Sequence, residues 1–178
     1  MFKRKGIMID CSRNAVRTPE TVMRFADMMK KLGYNTLMLY TEDTYEIESE
    51  PYFGYLRGRY TKEELKRIDD YCDSLGIELI PCIQLLGHLA TTLRWAGNAD
   101  LADTANALFE GAPQTEEFVR QALSAVRRCF TTRRVHMGMD ETHDLGTGRR
   151  LDRCGYEERS VLYFRHLRLC ASVAEELG

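Results

Sequence analysis

The sequence predicts an α/β protein built as the first four βα units of a (β/α)8 TIM-type barrel. Three observations support this fold class: short apolar strands alternate with amphipathic helices, no hairpin turn signal joins neighbouring strands, and an acid pair follows the last strand. The alternation favours a parallel sheet with right-handed crossovers. Reactive side chains in such barrels lie at the carboxyl ends of the strands, which is where the acid pair falls.

The first βα unit begins with a short apolar strand over residues 6–10. Thr18 and Pro19 then predict an N-cap and a first-turn proline. The predicted helix ends at Gly33, a typical C-terminal residue. The residues that we expect it to bury recur at helical spacing: Val22, Phe25, Met29 and Leu32.

The second unit has a strand over residues 35–40, followed by a loop over residues 41–60. Loops of about twenty residues are uncommon in compact domains and are usually functional. Thr61 and Glu64 form a capping box that predicts the second helix. Its expected inner stripe is Leu65, Ile68, Cys72 and Leu75.

The third and fourth units follow the same order. A strand over residues 77–83 is predicted first, and Thr115 is expected to cap the next helix. Residues 134–138 then read as the fourth strand. The last helix is expected over residues 158–177.

The number of units decides between a barrel and a smaller fold. A closed (β/α)8 barrel typically needs about 250 residues, whereas residues 1–178 supply one partial barrel domain. Half a barrel leaves two strand edges unpaired. We therefore expect part of a longer barrel, with self-association through the open edges as a further option. A small doubly wound α/β protein is the structural alternative.

Composition excludes several functional classes. With 44% hydrophobic and 29% charged residues, the chain can bury one sizeable core. Its net charge of −2 offers no general attraction for nucleic acid or an anionic membrane. No stretch approaches the roughly 20 apolar residues of a membrane helix, and the first apolar run stops at Asp10, short of a signal-peptide core. A cytoplasmic protein is the simplest expectation.

Asp140 and Glu141 are the leading catalytic candidates, because they stand together where the predicted fourth strand ends. Strict alternation would send neighbouring side chains to opposite faces, so the pair can cooperate only if the strand stops there. The alternative is a pair of acids at a helix N-terminus, which the helix dipole favours.

Five segments, in order, resemble glycoside hydrolase family 20, the β-N-acetylhexosaminidases, over nearly the whole chain. The last is similar to the family's His-x-Gly-Gly-Asp-Glu signature, and the first looks like its Gly-x-x-x-Asp-x-x-Arg opening. The segments are residues 6–13, 40–43, 58–64, 80–88 and 136–141. The resemblance implies four further βα units.

Four positions depart from the family pattern. Met139 replaces the second glycine of the signature. In the segment of the third strand, Cys82, Gln84 and Leu86 replace the Glu, Asp and Pro of the family. The departures indicate a divergent branch and bear on substrate preference more than on reaction type.

The resemblance implies a glycosidase that releases terminal β-linked N-acetylglucosamine or N-acetylgalactosamine from glycans by substrate-assisted retaining hydrolysis. Glu141 would be the acid and base, and its burial beside another carboxylate should favour the protonated form. Asp140 would orient the acetamido N–H. Arg13 would bind sugar hydroxyls, and His88 and His136 would hold the carboxylates in place.

No metal and no cofactor are expected. His143 follows the acids by two residues and could suggest a metal site with Asp140 or Asp144, but no second histidine lies at a convincing ligand spacing. The six cysteines show no close pairing, which argues against a zinc knuckle or a CxxC site.

Two functional alternatives remain: an inactive fragment that keeps part of a sugar site, and a small α/β sugar-binding protein without catalysis. Aromatic residues in the second loop, Tyr52 to Tyr55, and Trp95 after the third strand could line the substrate rim or merely pack.

Overall fold

The computed structural model describes residues 2–178, which form a parallel sheet with helices packed on one face. Strands β1 (Gly6–Asp10), β2 (Thr36–Glu42) and β3 (Glu78–Ile83) pair in the order β1-β2-β3, and both pairs are parallel. The α/β class and the sequential parallel order predicted from the sequence are therefore confirmed.

The long helices follow one another around the sheet in the same order as the strands. The helices are α1 (Pro19–Lys31), α2 (Lys62–Ser74), α3 (Ala90–Leu93), α4 (Pro113–Cys129), α5 (Arg149–Cys154) and α6 (Arg159–Leu177), with a 3-10 turn at Ala96–Asn98. Helix α1 contacts α2, α2 contacts α4, and α4 contacts α6. This arrangement is the outer layer of a (β/α)8 barrel over part of its circumference.

The two faces of the sheet differ in burial. Leu37 and Leu79 are neighbours in register and are almost fully buried. Met8 pairs with Met38 on the other face, and Met8 is 48% exposed. The outer face is therefore packed by the helices, whereas the inner face is open at β1.

Local signals placed the first two helices correctly. Thr18 accepts a hydrogen bond from the Thr21 backbone N–H, and Thr61 and Glu64 form both hydrogen bonds of a capping box. One residue of the predicted stripe differs, because α1 ends at Lys31 and Leu32 is the C-cap residue, 64% exposed.

The third predicted cap is wrong. Helix α4 begins at Pro113, two residues before Thr115, because a proline is well suited to the first helical turn. The Thr115 hydroxyl instead donates to the carbonyl of Phe109, at 2.7 Å.

The predicted fourth strand is only partly formed. Within this segment, His136 forms a parallel bridge to Cys82, and its N–H donates to the Pro81 carbonyl at 2.9 Å. Leu85 N–H donates to the Gly138 carbonyl at 3.0 Å. Gly138 has a φ of 52°, outside the β region, so regular pairing stops there. We call residues 134–141 the acid-bearing segment.

All six cysteines are free thiols. Among the helices formed by residues 2–178, none combines the length and the apolar character needed to cross a membrane.

Candidate active site

The candidate residues lie beyond the carboxyl ends of successive strands. Arg13 follows β1 by three residues, His88 follows β3 by five, and Asp140 and Glu141 end the acid-bearing segment. Parallel strands place these ends at one rim. The contacts below show that the side chains do converge there.

His88 lies between the acids. Its Nε2 is 3.3 Å from an oxygen of Asp140 and 3.3 Å from an oxygen of Glu141. Neither contact has the geometry of a hydrogen bond, so this buried nitrogen has no hydrogen-bond partner. The Nδ1 atom is 3.6 Å from an oxygen of Glu42. One imidazole thus contacts three carboxylates from two other strand ends.

Glu42 was not singled out from the sequence. Strand β2 extends two residues further than predicted, with an irregularity between Tyr40 and Glu42, and this places the Glu42 carboxylate in the site with its side chain 4% exposed. An available signal was the adjacent acid pair Glu42 and Asp43 at a strand end, the same pattern that identified Asp140 and Glu141.

Arg13 pairs with Glu42. One guanidinium nitrogen donates to both carboxylate oxygens, at 2.7 and 2.9 Å. The Arg13 side chain is 63% exposed, so its other N–H groups remain open to the cleft. The buried acid therefore fixes an exposed cation at the end of β1.

Gln84 holds Asp140 and is itself bound to Tyr40. The Gln84 amide donates to an Asp140 oxygen at 2.9 Å and to the Tyr40 hydroxyl at 2.9 Å. Burial alone would raise the pKa of Asp140, but the Gln84 hydrogen bond and the nearby imidazoles of His88 and His136 outweigh it and lower this pKa. Asp140 is therefore ionised at neutral pH.

Glu141 is more open than expected. Its side chain is 69% exposed, so residues 2–178 do not provide the burial that the sequence analysis expected for a general acid. The Asp140 side chain is also 55% exposed, and the two acids differ in that Asp140 accepts a hydrogen bond from Gln84.

His136 contacts a thiol instead of a carboxylate. Its Nδ1 is 3.2 Å from the sulfur of Cys82. Burial, followed by the charge of Asp140, raises the pKa of Cys82 to about 12, so the thiol is protonated. A supporting role for His136 toward the acid pair stays a prediction.

Backbone strain is concentrated at this rim. Five non-glycine residues among 2–178 have a positive φ, and three of them are site residues: Glu42 (48°), His88 (55°) and Glu141 (53°). Each such conformation costs on the order of 1–3 kcal/mol and persists only where surrounding contacts impose it. Strain of this kind is typical of functional sites.

A cleft of about 380 Å³ opens beside His88. Arg13, Glu42, Arg57 and Thr91 contribute to its walls. Among residues 2–178, no group of three or more His, Cys, Asp or Glu side chains is arranged to hold a metal ion. The cleft offers charged and hydroxyl groups, which suit a polar ligand.

Sequence comparison relates the chain to glycosidases. It is 26% identical to a beta-hexosaminidase of Vibrio furnissii, covering 80% of this chain and 29% of that protein. It is 24% identical to human hexosaminidase D, covering 82% of this chain and 31% of that protein. The chain thus spans about a third or less of these relatives.

Structural comparison identifies the same fold. The exo beta-N-acetylglucosaminidase of Vibrio harveyi, solved with N-acetylglucosamine, has a TM-score of 0.86 at 21% identity, over 99% of this chain and 34% of that one. The N-acetyl-beta-hexosaminidase of Streptomyces plicatus has a TM-score of 0.83 at 22% identity, over 99% and 38%.

The profile of one family, described as glycosyl hydrolase family 20, catalytic domain, matches residues 2–158. This match includes the strands, the long loop and the acid pair. The chain therefore belongs to glycosyl hydrolase family 20 and contains part of its catalytic domain.

Proposed function

We propose that the protein carrying this domain is an exo-acting β-N-acetylhexosaminidase. It would remove terminal β-linked N-acetylglucosamine or N-acetylgalactosamine from glycans by substrate-assisted retaining hydrolysis. The observation that carries this proposal is the placement of Asp140 and Glu141 around one nitrogen of His88, at the strand ends of a family 20 domain.

In the first step, the carbonyl oxygen of the sugar's own 2-acetamido group attacks the anomeric carbon. The bond to the leaving oxygen breaks as Glu141 donates its proton to that oxygen, and an oxazolinium ring forms. In the second step, Glu141 takes a proton from water, and the water oxygen opens the ring at the anomeric carbon. The sugar is released with its original configuration.

Asp140 would act on the acetamido group. An ionised carboxylate can accept the acetamido N–H and offset the positive charge that develops on the ring. The lowered pKa of Asp140 supports this role, because the group is charged before substrate binds. The Gln84 hydrogen bond would fix its orientation.

Arg13 would bind hydroxyl groups at the far end of the sugar. Its planar guanidinium carries five N–H donors, and the pairing with Glu42 through one nitrogen leaves others for the ligand. His88 would hold the two acids at a fixed separation.

The test replaces Glu141 by Gln in a protein extended through the remaining barrel units. Loss of the proton donor should lower kcat/KM by about 100- to 10,000-fold on an alkyl N-acetyl-β-glucosaminide. The loss should be smaller for an aryl glycoside with an acidic leaving group, which needs less protonation. Glu48→Gln is the matched control, because the Glu48 side chain is 91% exposed on the second loop.

The neighbouring-group step has its own test. Fluorine atoms on the N-acetyl methyl group make the carbonyl oxygen a weaker nucleophile, so kcat should fall progressively as fluorines are added. A rate independent of fluorination, or an extended protein whose turnover survives Glu141→Gln on the alkyl glycoside, would contradict the mechanism.

A further inference from the structure

Arg57 joins the segments that follow β1, β2 and β3. It belongs to the loop after β2, and its guanidinium donates to the Ser12 carbonyl, to the Asn14 side chain at 2.7 Å and to Asp43 at 3.1 Å. Ser12 and Asn14 lie in the loop after β1. The other oxygen of Asp43 accepts the hydroxyl of Thr91, in α3, at 2.6 Å. One guanidinium thus connects three adjacent strand ends.

The contacts with the loop after β1 lie on both sides of Arg13. Ser12 precedes Arg13 and Asn14 follows it, and both are bound by the same Arg57 side chain. The Arg13 guanidinium is in turn held by Glu42. The backbone of Arg13 is therefore fixed by Arg57, and the end of its side chain by Glu42.

Burial strengthens these contacts. The Arg57 side chain is 14% exposed and that of Asp43 is 2% exposed, so their ion pair is largely removed from water. Arg57 also lines the cleft beside His88. All three guanidinium nitrogens of Arg57 donate to groups of the protein, which favours a role in holding the cleft wall over direct contact with a ligand.

The backbone around Arg57 is strained in the same way as the site. Asn14 (φ 59°) and Leu56 (φ 60°) are the two remaining non-glycine residues among 2–178 with a positive φ. Asn14 accepts a hydrogen bond from Arg57, and Leu56 immediately precedes Arg57. The Leu56 side chain is 85% exposed, so its own packing does not impose this conformation. Strain of this kind persists where the contacts of neighbouring residues require it, and Arg57 makes such contacts.

We propose that Arg57 is a positioning residue that holds Arg13 in place for the hydroxyl groups of the sugar. The proposal rests on the proposed function and adds to it a residue that acts through Arg13. A planar guanidinium with five N–H donors can bind a carbonyl, an amide oxygen and a carboxylate at once. A lysine has a single nitrogen, so Arg57→Lys keeps the charge and loses most of these contacts.

The kinetic test uses the protein extended through the remaining barrel units and two substrates. One is an aryl N-acetyl-β-glucosaminide, and the other is its 3,4-dideoxy analogue, which lacks the two hydroxyl groups at the far end of the ring. Arg57→Lys should lower kcat/KM about tenfold on the first substrate and less than about twofold on the second, because the analogue has already lost the contact with Arg13. A purely structural defect would lower both values equally.

Two further variants separate this contact from the general stability of the loop. Asn14→Gly removes one acceptor of Arg57 and suits a φ of 59°, so it should fold and lower kcat/KM on the first substrate about threefold. Arg59→Lys is the matched control, because Arg59 donates to the Pro51 and Phe53 carbonyls of the same loop. It should leave the ratio of kcat/KM for the two substrates unchanged.

Hydrogen exchange, followed by mass spectrometry, tests the same role without turnover. The Ser12 N–H donates to Asp10 at 2.7 Å, so a peptide over residues 11–14 reports on the turn that carries Arg13. Its exchange should be faster in Arg57→Lys than in the wild-type protein, and unchanged in Arg59→Lys.

Equal losses of kcat/KM on the two substrates in Arg57→Lys, or wild-type exchange over residues 11–14 in this variant, would overturn the proposal. A folded Asn14→Gly protein with the wild-type ratio for the two substrates would do the same. Failure of the proposed function would look different: the extended protein would turn over neither substrate, while hydrogen exchange would still show the effect of Arg57→Lys.

Discussion

Gly138 shows how one residue can fix the position of the acid pair. A side-chain carbon at this position would lie 2.1 Å from the Ile83 carbonyl oxygen and 2.7 Å from the Gln84 side chain. The acid-bearing segment can therefore approach β3 only because residue 138 has no side chain. That approach brings Asp140 within reach of the Gln84 amide.

Replacement of Gly138 by Ala should lower the free energy of unfolding by about 3 kcal/mol or more, because backbone strain at a φ of 52° adds to a steric clash. Gly76→Ala is the control: its φ is 68°, but the added carbon would meet only the flexible end of the Lys30 side chain, at 3.6 Å, so only about 1 kcal/mol should be lost. Urea unfolding measures both. If both variants lost the same free energy of unfolding, the close contact between Gly138 and β3 would contribute nothing to stability.

Gln84 should control the charge of Asp140. In Gln84→Leu the hydrogen bond that lowers the pKa of Asp140 is lost while its burial remains, so this pKa should rise. The carboxyl ¹³C resonance of Asp140, followed by NMR against pH, should therefore have a higher midpoint in the variant. An unchanged midpoint would mean that the Gln84 hydrogen bond does not control the charge of Asp140.

Helix α6 supports the site from behind. His166 is buried in this helix, and its Nε2 lies 2.7 Å from the Leu85 carbonyl oxygen, a contact in which the imidazole must donate. Leu85 in turn donates its N–H to Gly138. A helix, the loop after β3 and the acid-bearing segment are thus linked by two hydrogen bonds. Nδ1 of His166 is buried without a hydrogen-bond partner.

Burial lowers the pKa of His166 below its ordinary value, against the opposing effect of the Leu85 carbonyl. As pH falls through about 6.5, the unfolded chain binds a proton that the folded chain does not. Above pH 6.5, His166 should not change the free energy of unfolding. Below pH 6.5, the free energy of unfolding should decrease by up to about 1.4 kcal/mol per pH unit, until the pH reaches the pKa of His166 in the folded protein.

His166→Gln tests this dependence, because a glutamine amide can also donate to the Leu85 carbonyl and does not titrate. Urea unfolding between pH 5 and pH 8 should show wild-type stability decreasing more steeply than that of the variant at the acid end. Parallel curves would show that His166 makes no contribution to the pH dependence.

At the scale of the whole molecule, the main feature is an incomplete barrel wall. Strand β1 has no partner on its outer edge among residues 2–178, and Met8 on the inner face of the sheet is 48% exposed. Exposed edges with apolar side chains pair readily with other chains. At the other side of the sheet, Glu141 is 69% exposed, in a site that the proposed chemistry requires to be enclosed.

The 178-residue chain should therefore self-associate. Sedimentation velocity should show a weight-average mass that rises with concentration, and Met8→Glu should reduce this rise by placing a charge beside the open edge. Thr21→Glu, on the outer surface of α1, provides the control. A chain that stays monomeric at all concentrations would contradict the expectation from the open edge.

The same chain should have little or no hexosaminidase activity. Catalytic groups must be held within about 0.5 Å of their productive positions, and the open cleft does not hold Glu141 in this way. An assay with a chromogenic N-acetyl-β-glucosaminide would compare the chain with a version extended through the remaining barrel units. Robust turnover by the short chain that Glu141→Gln abolishes would contradict this expectation.

The sequence by itself determined the features that depend on local pattern. The Thr61 capping box, the strand and helix order, and the acid pair at a strand end are encoded within short segments, and Arg13, His88, Asp140 and Glu141 could be named from them. Family membership also followed from ordered short motifs.

Only the tertiary structure decided which groups meet. The acid pair Glu42 and Asp43 marks a strand end in the sequence, but Glu42 enters the site only because β2 continues past Tyr40 through an irregularity in its pairing. Gln84 reaches Asp140 across 56 positions of sequence, and His166 reaches Leu85 across 81. The physical reason is that such contacts depend on strand register and close packing between distant segments, whereas caps and periodicity are set by neighbours along the chain.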